Sequence, residues 1–349
     1  MIDIKNTAKY TLMLLLLITI IALTFYSIFD KNSLTAIVSS IKTIKLFYIF
    51  IAIAIIFIYF ILQGIYMKIM LKAFKKNIPL KKGIFYSLVE FYFSGITPSS
   101  TGGQPVQLYY MTKDKIPVRN SYIILILNTI YFKVILIILG IAVLLFKNSY
   151  ILDNNFVYIF FFGLGFLTDL VIVTLCLSFL LDKRLIKKVL TKIFSLGKHF
   201  RIIRKKTESK NIDEIIARYN DELQFIKNNK RVIFSTFVVT FLQRLSMFSI
   251  AYVVYKALGL SGYTYFDLLA IQVSVQLAVE MLPIPGGAGL SEGMFYSTFA
   301  IIFASKYSDV AMLLTRTFSF YTPLLISGFI VLIYTIRMKR KQMKRINEI

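Results

Sequence analysis

The chain has 349 residues, is 57% hydrophobic and has a mean hydropathy of +0.72, which excludes a soluble domain and points to a protein that crosses the membrane several times. Its 41 Lys and Arg against 17 Asp and Glu give a formal charge of +24, read here as basic loops on the cytoplasmic side and not as a nucleic-acid surface. One Cys (Cys176) and one His (His199) exclude an internal disulfide and count against a His/Cys metal site or a hydrolytic triad; no Gly-Lys-Ser/Thr phosphate loop is present, and no cofactor is expected.

In chain order, residues 10–29 form an uncharged apolar run with no small-residue cleavage site after it, so they are read as a retained helix. Further full spans are expected at 46–67, 120–146, 156–181, 232–258 and 310–336, making six. Two more apolar regions, 84–111 and 266–304, are broken by Pro/Gly stretches: "ITPSSTGGQP" (Ile96–Pro105) and "LPIPGGAGLSE" (Leu282–Glu292). Charge counts decide their course. Loop 182–231 carries 15 Lys and Arg, 68–82 carries six and the tail Arg337–Arg345 carries six, whereas 30–45, 147–155 and 259–265 carry three, one and none. If 68–82 and 182–231 both lie inside, region 84–111 must cross an even number of times. Two full crossings do not fit its length, so it is expected to be a re-entrant hairpin; the same parity applies to 266–304.

The expected fold is therefore an all-α polytopic membrane protein of six spans and two re-entrant hairpins, eight hydrophobic segments in all. The order span, span, hairpin, span occurs twice. That divides the chain into inverted repeats at 1–146 and 147–349, the second including the basic loop 182–231, with both termini cytoplasmic. Paired broken segments in corresponding halves mark a binding site near the midplane, because irregular backbone is tolerated there only where protein or a wet cavity satisfies it. Within the basic loop, Leu185, Ile186, Val189, Leu190 and Ile193 recur at helical spacing among lysines, and Ile212, Ile215, Ile216, Tyr219, Leu223 and Ile226 form a second such stripe, capped by Asn211. Both suit an anionic membrane surface, and both also serve as plain topology anchors.

Ionisable residues inside spans cost roughly 2.5–3.5 kcal/mol each on insertion scales, which makes Glu90, Lys133, Asp169, Arg244, Glu280, Glu292 and Arg316 functional candidates. Glu90 and Glu280 each precede a break. Thr97, Gly102, Gly103, Gln104 and Gln107 belong to the first break, and Pro285, Gly286 and Gly287 to the second. The glycine pairs are expected to supply positive φ or close backbone approach. Arg244 and Arg316 offer a donor fork that matches phosphate. Two readings stay open for them: a lipid-binding cavity, or permanent struts pairing Arg244 with Glu280 and Arg316 with Glu292. Lys133 and Asp169 are read as packing or snorkelling residues.

The segments "FSGITPSSTGGQPVQLYYMTKDKIP" and "VEMLPIPGGAGLSEGMFY", among these spans, resemble the lysylphosphatidylglycerol synthase transmembrane-region family, the flippase part of the multiple peptide resistance factor. The resemblance implies a multi-pass protein of a bacterial plasma membrane that handles a lipid headgroup. It also implies a soluble lysine-transferring domain in two-part members, for which this chain, ending soon after its last span, is expected to have no room. The leading reading is a translocator of a phospholipid, such as lysylphosphatidylglycerol or another aminoacylated lipid. The rivals are a carrier of polyisoprenyl-phosphate or another anionic lipid, and the membrane part of a lysyltransferase system, in which case the chain would serve an enzyme; a soluble synthase or a second copy would be its protein partner. The repeat pattern and the single His favour transport over catalysis.

Overall fold

The computed structural model describes residues 44–97, 100–152, 156–181, 221, 223–280, 302–303 and 307–347. They form α1 (Leu46–Ala73), α2 (Leu80–Gly95), α3 (Gly103–Lys113), α4 (Val118–Phe146), the single turn α5 (Ser149–Leu152), α6 (Phe156–Leu181), α7 (Lys230–Ala257) and α8 (Tyr265–Glu280). A last helix starts at Tyr307, passes through a π-turn at Thr317–Tyr321 and continues as α9 (Thr322–Asn347). Five helices are long and apolar enough to cross a membrane, and they fall on five of the six expected spans, so the chain is an all-α polytopic membrane protein. The expected span 10–29 and the stripes at 185–193 and 211–219 lie outside the described residues.

Each long helix follows from an uninterrupted apolar run and ends for a local reason. At about 1.5 Å per residue, the 28 residues of α1 reach about 42 Å, beyond the ~30 Å hydrocarbon core. The helix stops where Lys75 turns left-handed (φ 57°) and the Lys76 N–H reaches back to the Leu71 carbonyl at 2.8 Å. Helices α2 and α4 each follow a proline, Pro79 and Pro117, whose fixed φ and missing N–H suit the residue before a helix. The π-turn comes just before Pro323. That proline cannot donate to the carbonyl one turn back, and widening the preceding turn relieves its clash.

Helices α2 and α3 make the first hairpin. Their 16 and 11 residues span only about 24 and 16 Å, too short to cross. Lys82 near the start of α2 pairs with Asp114, just past the end of α3, at 2.7 Å, and the Tyr86 hydroxyl donates to the same carboxylate at 2.6 Å. Both arms therefore begin and end on one side. At the far end of α4, Lys147 pairs with Asp267 near the start of α8 at 2.7 Å, and the Tyr150 hydroxyl donates to Asp267 at 3.0 Å. A Lys–Asp–Tyr group thus pins the mouth of the first hairpin at one end of the molecule, and another pins the start of α8 at the other.

The packing is reciprocal. Helices α1 and α7 form the central pair; α4 packs on α8, and α9 packs on α2. Small residues let backbones meet at these crossings, as expected where lipid offers no hydrophobic drive. A Cβ on Gly83 would sit 2.5 Å from the Gly64 carbonyl oxygen, where α1 crosses α2, and one on Gly165 would overlap the Leu277 carbonyl, where α6 crosses α8. Buried apolar residues such as Tyr66, Met67 and Ile123 fill the first half, and Tyr158, Val273 and Leu277 the second. Exposed Phe50, Phe57, Phe160, Leu167 and Phe329 face outward, an arrangement that suits lipid and not water.

Candidate functional site

The tip of the first hairpin is built by hydrogen bonds from short side chains. Thr97 Oγ1 donates to the Phe93 carbonyl at 2.6 Å and accepts from the Gly102 N–H at 2.8 Å, so one hydroxyl closes the end of α2 and the start of α3. Ser94 Oγ donates to the Ser100 carbonyl at 3.3 Å. Among the described residues of the break Ser100 is left-handed (φ 55°), whereas Gly102 has ordinary helical angles (φ −82°, ψ −20°). The expectation of positive φ at Gly102–Gly103 is therefore corrected. These glycines serve close approach: a Cβ on Gly103 would overlap Ser94 Oγ and lie 2.6 Å from the Glu90 carbonyl oxygen. Neighbouring backbone, not dihedral preference, excludes a side chain there.

The tip reaches mid-depth. Gln104, in the first turn of α3, donates through Nε2 to Thr129 Oγ1 at 2.5 Å, and Thr129 lies near the middle of α4. Gln107 is fully buried; its Nε2 meets Met67 Sδ at 3.9 Å, and its Oε1 has no hydrogen-bond partner among the described residues.

Around this tip the structure gathers three of the expected charges. Arg244, half-way along α7, lays its guanidinium over the Phe132 ring at 3.7 Å from the centroid, with the Tyr59 ring at 5.9 Å. Tyr59 and Phe132 also lie mid-helix, in α1 and α4. Glu90 on α2 lies near Ser94 and in electrostatic reach of Arg244, whose guanidinium is in hydrogen-bonding reach of the Tyr59 hydroxyl. Arg244 Nε is buried, with no acceptor among the described residues, as are both polar ends of its neighbour Gln243. Arg316, 8% exposed, comes just before the π-turn; its guanidinium lies 4.7 Å from the Phe320 ring and 5.9 Å from the Tyr321 ring. Phe320 in turn forms an apolar cluster with Ile96 at the end of α2 and with Leu324. Arg244 and Arg316 thus approach the hairpin tip through different aromatic neighbours.

The second break is not visible in the same way. Pro285, Gly286, Gly287 and Glu292 lie outside the described residues, and Glu280 is described only as the last residue of α8. The expected Arg244–Glu280 and Arg316–Glu292 struts fall partly on these residues.

Of the packing or snorkelling roles read for Lys133 and Asp169, snorkelling is corrected. Lys133 on α4 and Asp169 on α6 form an ion pair at 2.6 Å, with side chains 8% and 3% exposed. Both sit too near the middle of their helices for a side chain to reach the interface, so each neutralises the other. Tyr59, Ser94, Thr129 and Phe132 were not among the expected site residues. Aromatic and hydroxyl residues are ordinary in spans, and nothing local marks these four.

Chemically, the site offers a guanidinium whose Nε has no acceptor among the described residues, clamped by aromatic rings beside a carboxylate and an irregular backbone at mid-depth. Among the described residues, no three His, Cys, Asp or Glu side chains converge as a metal would need. A family model described as the lysylphosphatidylglycerol synthase TM region matches residues 12–327. No curated protein matches the chain.

Proposed function

The chain belongs to the lysylphosphatidylglycerol synthase transmembrane-region family, whose role concerns membrane lipids, and we propose that this member moves a phospholipid headgroup between leaflets. The observation that carries the reading is Arg244 at mid-depth beside a broken hairpin, its Nε without an acceptor among the described residues. A lipid phosphodiester supplies the missing acceptor, and two of its oxygens match the Nε and Nη edge. Arg316 would share the phosphate. Glu90, with Glu280 and Glu292 from the second hairpin, would meet a cationic group such as an aminoacyl ammonium. Thr97, Gly102, Gly103, Gln104 and Gln107 would shape one wall, and Pro285, Gly286 and Gly287 the other. The reciprocal packing of α4 on α8 and α9 on α2 supports the division into inverted repeats.

The orientation belongs to the same reading. Exposed Lys72, Lys75, Lys76, Lys81, Lys113 and Lys115 cluster at the mouth of the first hairpin, which favours placing that end in the cytoplasm of a bacterial cell, with both termini.

Purified protein in liposomes, assayed for leaflet exchange of labelled phosphatidylglycerol, lysylphosphatidylglycerol, phosphatidylcholine and a polyisoprenyl phosphate, tests the proposal. Exchange of a phosphatidylglycerol-type lipid above empty liposomes, lost in Arg244→Gln, is expected. Exchange of the polyisoprenyl phosphate alone would overturn the cargo, and no exchange of any lipid would overturn the function.

A further inference from the structure

Helix α9 lies along the first hairpin from tip to mouth. Near the tip, a Cβ on Gly95 would sit 2.6 Å from Leu324 Cδ1, and one on Gly328 would sit 2.6 Å from the Tyr92 ring. At the mouth, the Tyr334 ring lies on Phe85 with centroids 3.8 Å apart, and the Tyr110 ring meets Phe85 edge-on at 5.3 Å. Thr335 Oγ1 donates its one proton to the Val331 carbonyl at 2.7 Å, so it accepts from the Tyr110 hydroxyl, also at 2.7 Å. Both arms, through Phe85 on α2 and Tyr110 on α3, are thus clasped to the mouth end of α9.

The other side of α2 meets α1, where Gly83 crosses Gly64, so the hairpin is held between α1 and α9. On the α1 side, Gln63 Oε1, Ser87 Oγ and Gln107 Oε1 are buried with no hydrogen-bond partner among the described residues. Gln107 reaches Met67 of α1 at 3.9 Å, and Gln63 precedes Met67 by one turn. On α2, Ser87 follows Gly83 by one turn, and Glu90, in electrostatic reach of Arg244, follows Ser87 by another. A seam of unsatisfied polar groups therefore leads from the hairpin toward the Arg244 site. Burying such groups is costly, and a contact that never opened would be better sealed by apolar side chains. The seam suits a contact that parts and admits water or a polar headgroup.

We propose that α9 gates the route from the hairpin mouth to Arg244. The π-turn at Thr317–Tyr321 and Pro323 interrupt regular helical bonding at the tip end of α9, which makes that end the pivot; Arg316 immediately precedes it. When α9 swings, Tyr334 and Thr335 let go of Phe85 and Tyr110. The hairpin, no longer pressed from that side, parts from α1 and opens Gln63, Ser87 and Gln107 to the headgroup. The proposal rests on the reading of Arg244 as the phosphate-binding group. A helix that merely packed against the hairpin would behave differently: tying the two together covalently would change nothing.

Reversible cross-linking of the full chain in a Cys176→Ser background tests the gate. Phe85→Cys/Tyr334→Cys and Tyr110→Cys/Thr335→Cys each place two thiols across the clasp, where a short bis-methanethiosulfonate reagent joins them. In liposomes carrying labelled phosphatidylglycerol, the cross-link is expected to slow leaflet exchange about tenfold or more, and a reductant to restore it. Lys82→Cys/Asp114→Cys joins the two arms to each other and not to α9, so cross-linking it should leave exchange within about twofold; arrest in this control as well overturns the gate. A Gln63→Cys thiol added to either clasp pair reads opening without lipid: its reaction with a water-soluble maleimide in detergent should slow in the cross-linked protein and recover on reduction, and an unmoved rate overturns the gate. Should neither clasp pair fold, Thr335→Val, which removes the acceptor and keeps the shape, carries the test. Labelling of Gln63→Cys is then expected to quicken by about two- to tenfold, the worth of one hydrogen bond, and unchanged labelling overturns the gate. The two claims fail differently. A parent that exchanges no lipid sinks the translocator reading and this route with it, whereas a parent that exchanges lipid equally well before and after cross-linking sinks the gate alone.

Discussion

Two charged clusters lie beside Phe132 in the middle of the spans, and they are built differently. Lys133 and Asp169 face each other at 2.6 Å, each almost fully enclosed. Arg244 leans on aromatic faces with Glu90 in its field, and its Nε has no acceptor among the described residues. The first cluster carries its own counter-charge at contact distance; the second holds no such contact pair among the described residues, where the backbone of the hairpin is irregular. Depth alone does not separate structural from binding charges in a membrane protein. The two clusters differ in how each charge is partnered among the described residues.

The sharpest way to break this contrast is to remove one half of the enclosed pair. Lys133→Met leaves a buried carboxylate without its partner and should cost about 3–5 kcal/mol, with most of the loss recovered in Lys133→Met/Asp169→Leu. Melting curves in detergent measure both, and a double variant as unstable as the single would show that the pair is not a strut. Next in size is the hairpin tip. Gly103→Ala forces a methyl against Ser94 and the Glu90 carbonyl and should cost about 1–3 kcal/mol while reducing lipid exchange, since it separates the arms that carry Glu90 and Gln104. Normal exchange in a well-folded Gly103→Ala protein would reduce the tip to an ordinary turn.

Arg244→Gln should change stability by less than about 1 kcal/mol, because Arg244 and Glu90 both keep exposed surface, yet it should lower exchange about tenfold or more. A large drop in melting temperature, rescued by Glu90→Gln, would instead make Arg244 a second strut and erase the contrast. The smallest effect is expected at the mouth of the first hairpin. Lys82 is 32% exposed, so Lys82→Ala should cost about 0.5 kcal/mol, a difference that shrinks in high salt.

The spans and the first hairpin were legible in the sequence for a simple reason. An apolar run must exceed the thickness of the hydrocarbon, so length and composition reveal a span, and Lys and Arg are costly to translocate, so their counts constrain which ends share a side. Parity of those counts predicted that 84–111 returns to its own side, and the Lys82–Asp114 pair shows α2 and α3 doing so. The deep ionisable residues were equally visible as types, because their burial is expensive wherever they occur.

What only the tertiary structure decided is who meets whom. Lys133 finds Asp169 36 residues away, and Arg244 finds Phe132 and Tyr59 on helices far apart in the chain. Helices α1, α4 and α6 are apolar nearly all round, so periodicity does not say which of their faces turns inward. Helix rotation is settled by contacts such as Gly64 on Gly83 and Gly165 on Leu277. The role of the break glycines was hidden for a related cause: a Gly–Gly pair is consistent with a left-handed turn or with crowding. At Gly103 only the position of α2, one hairpin arm away, makes it crowding.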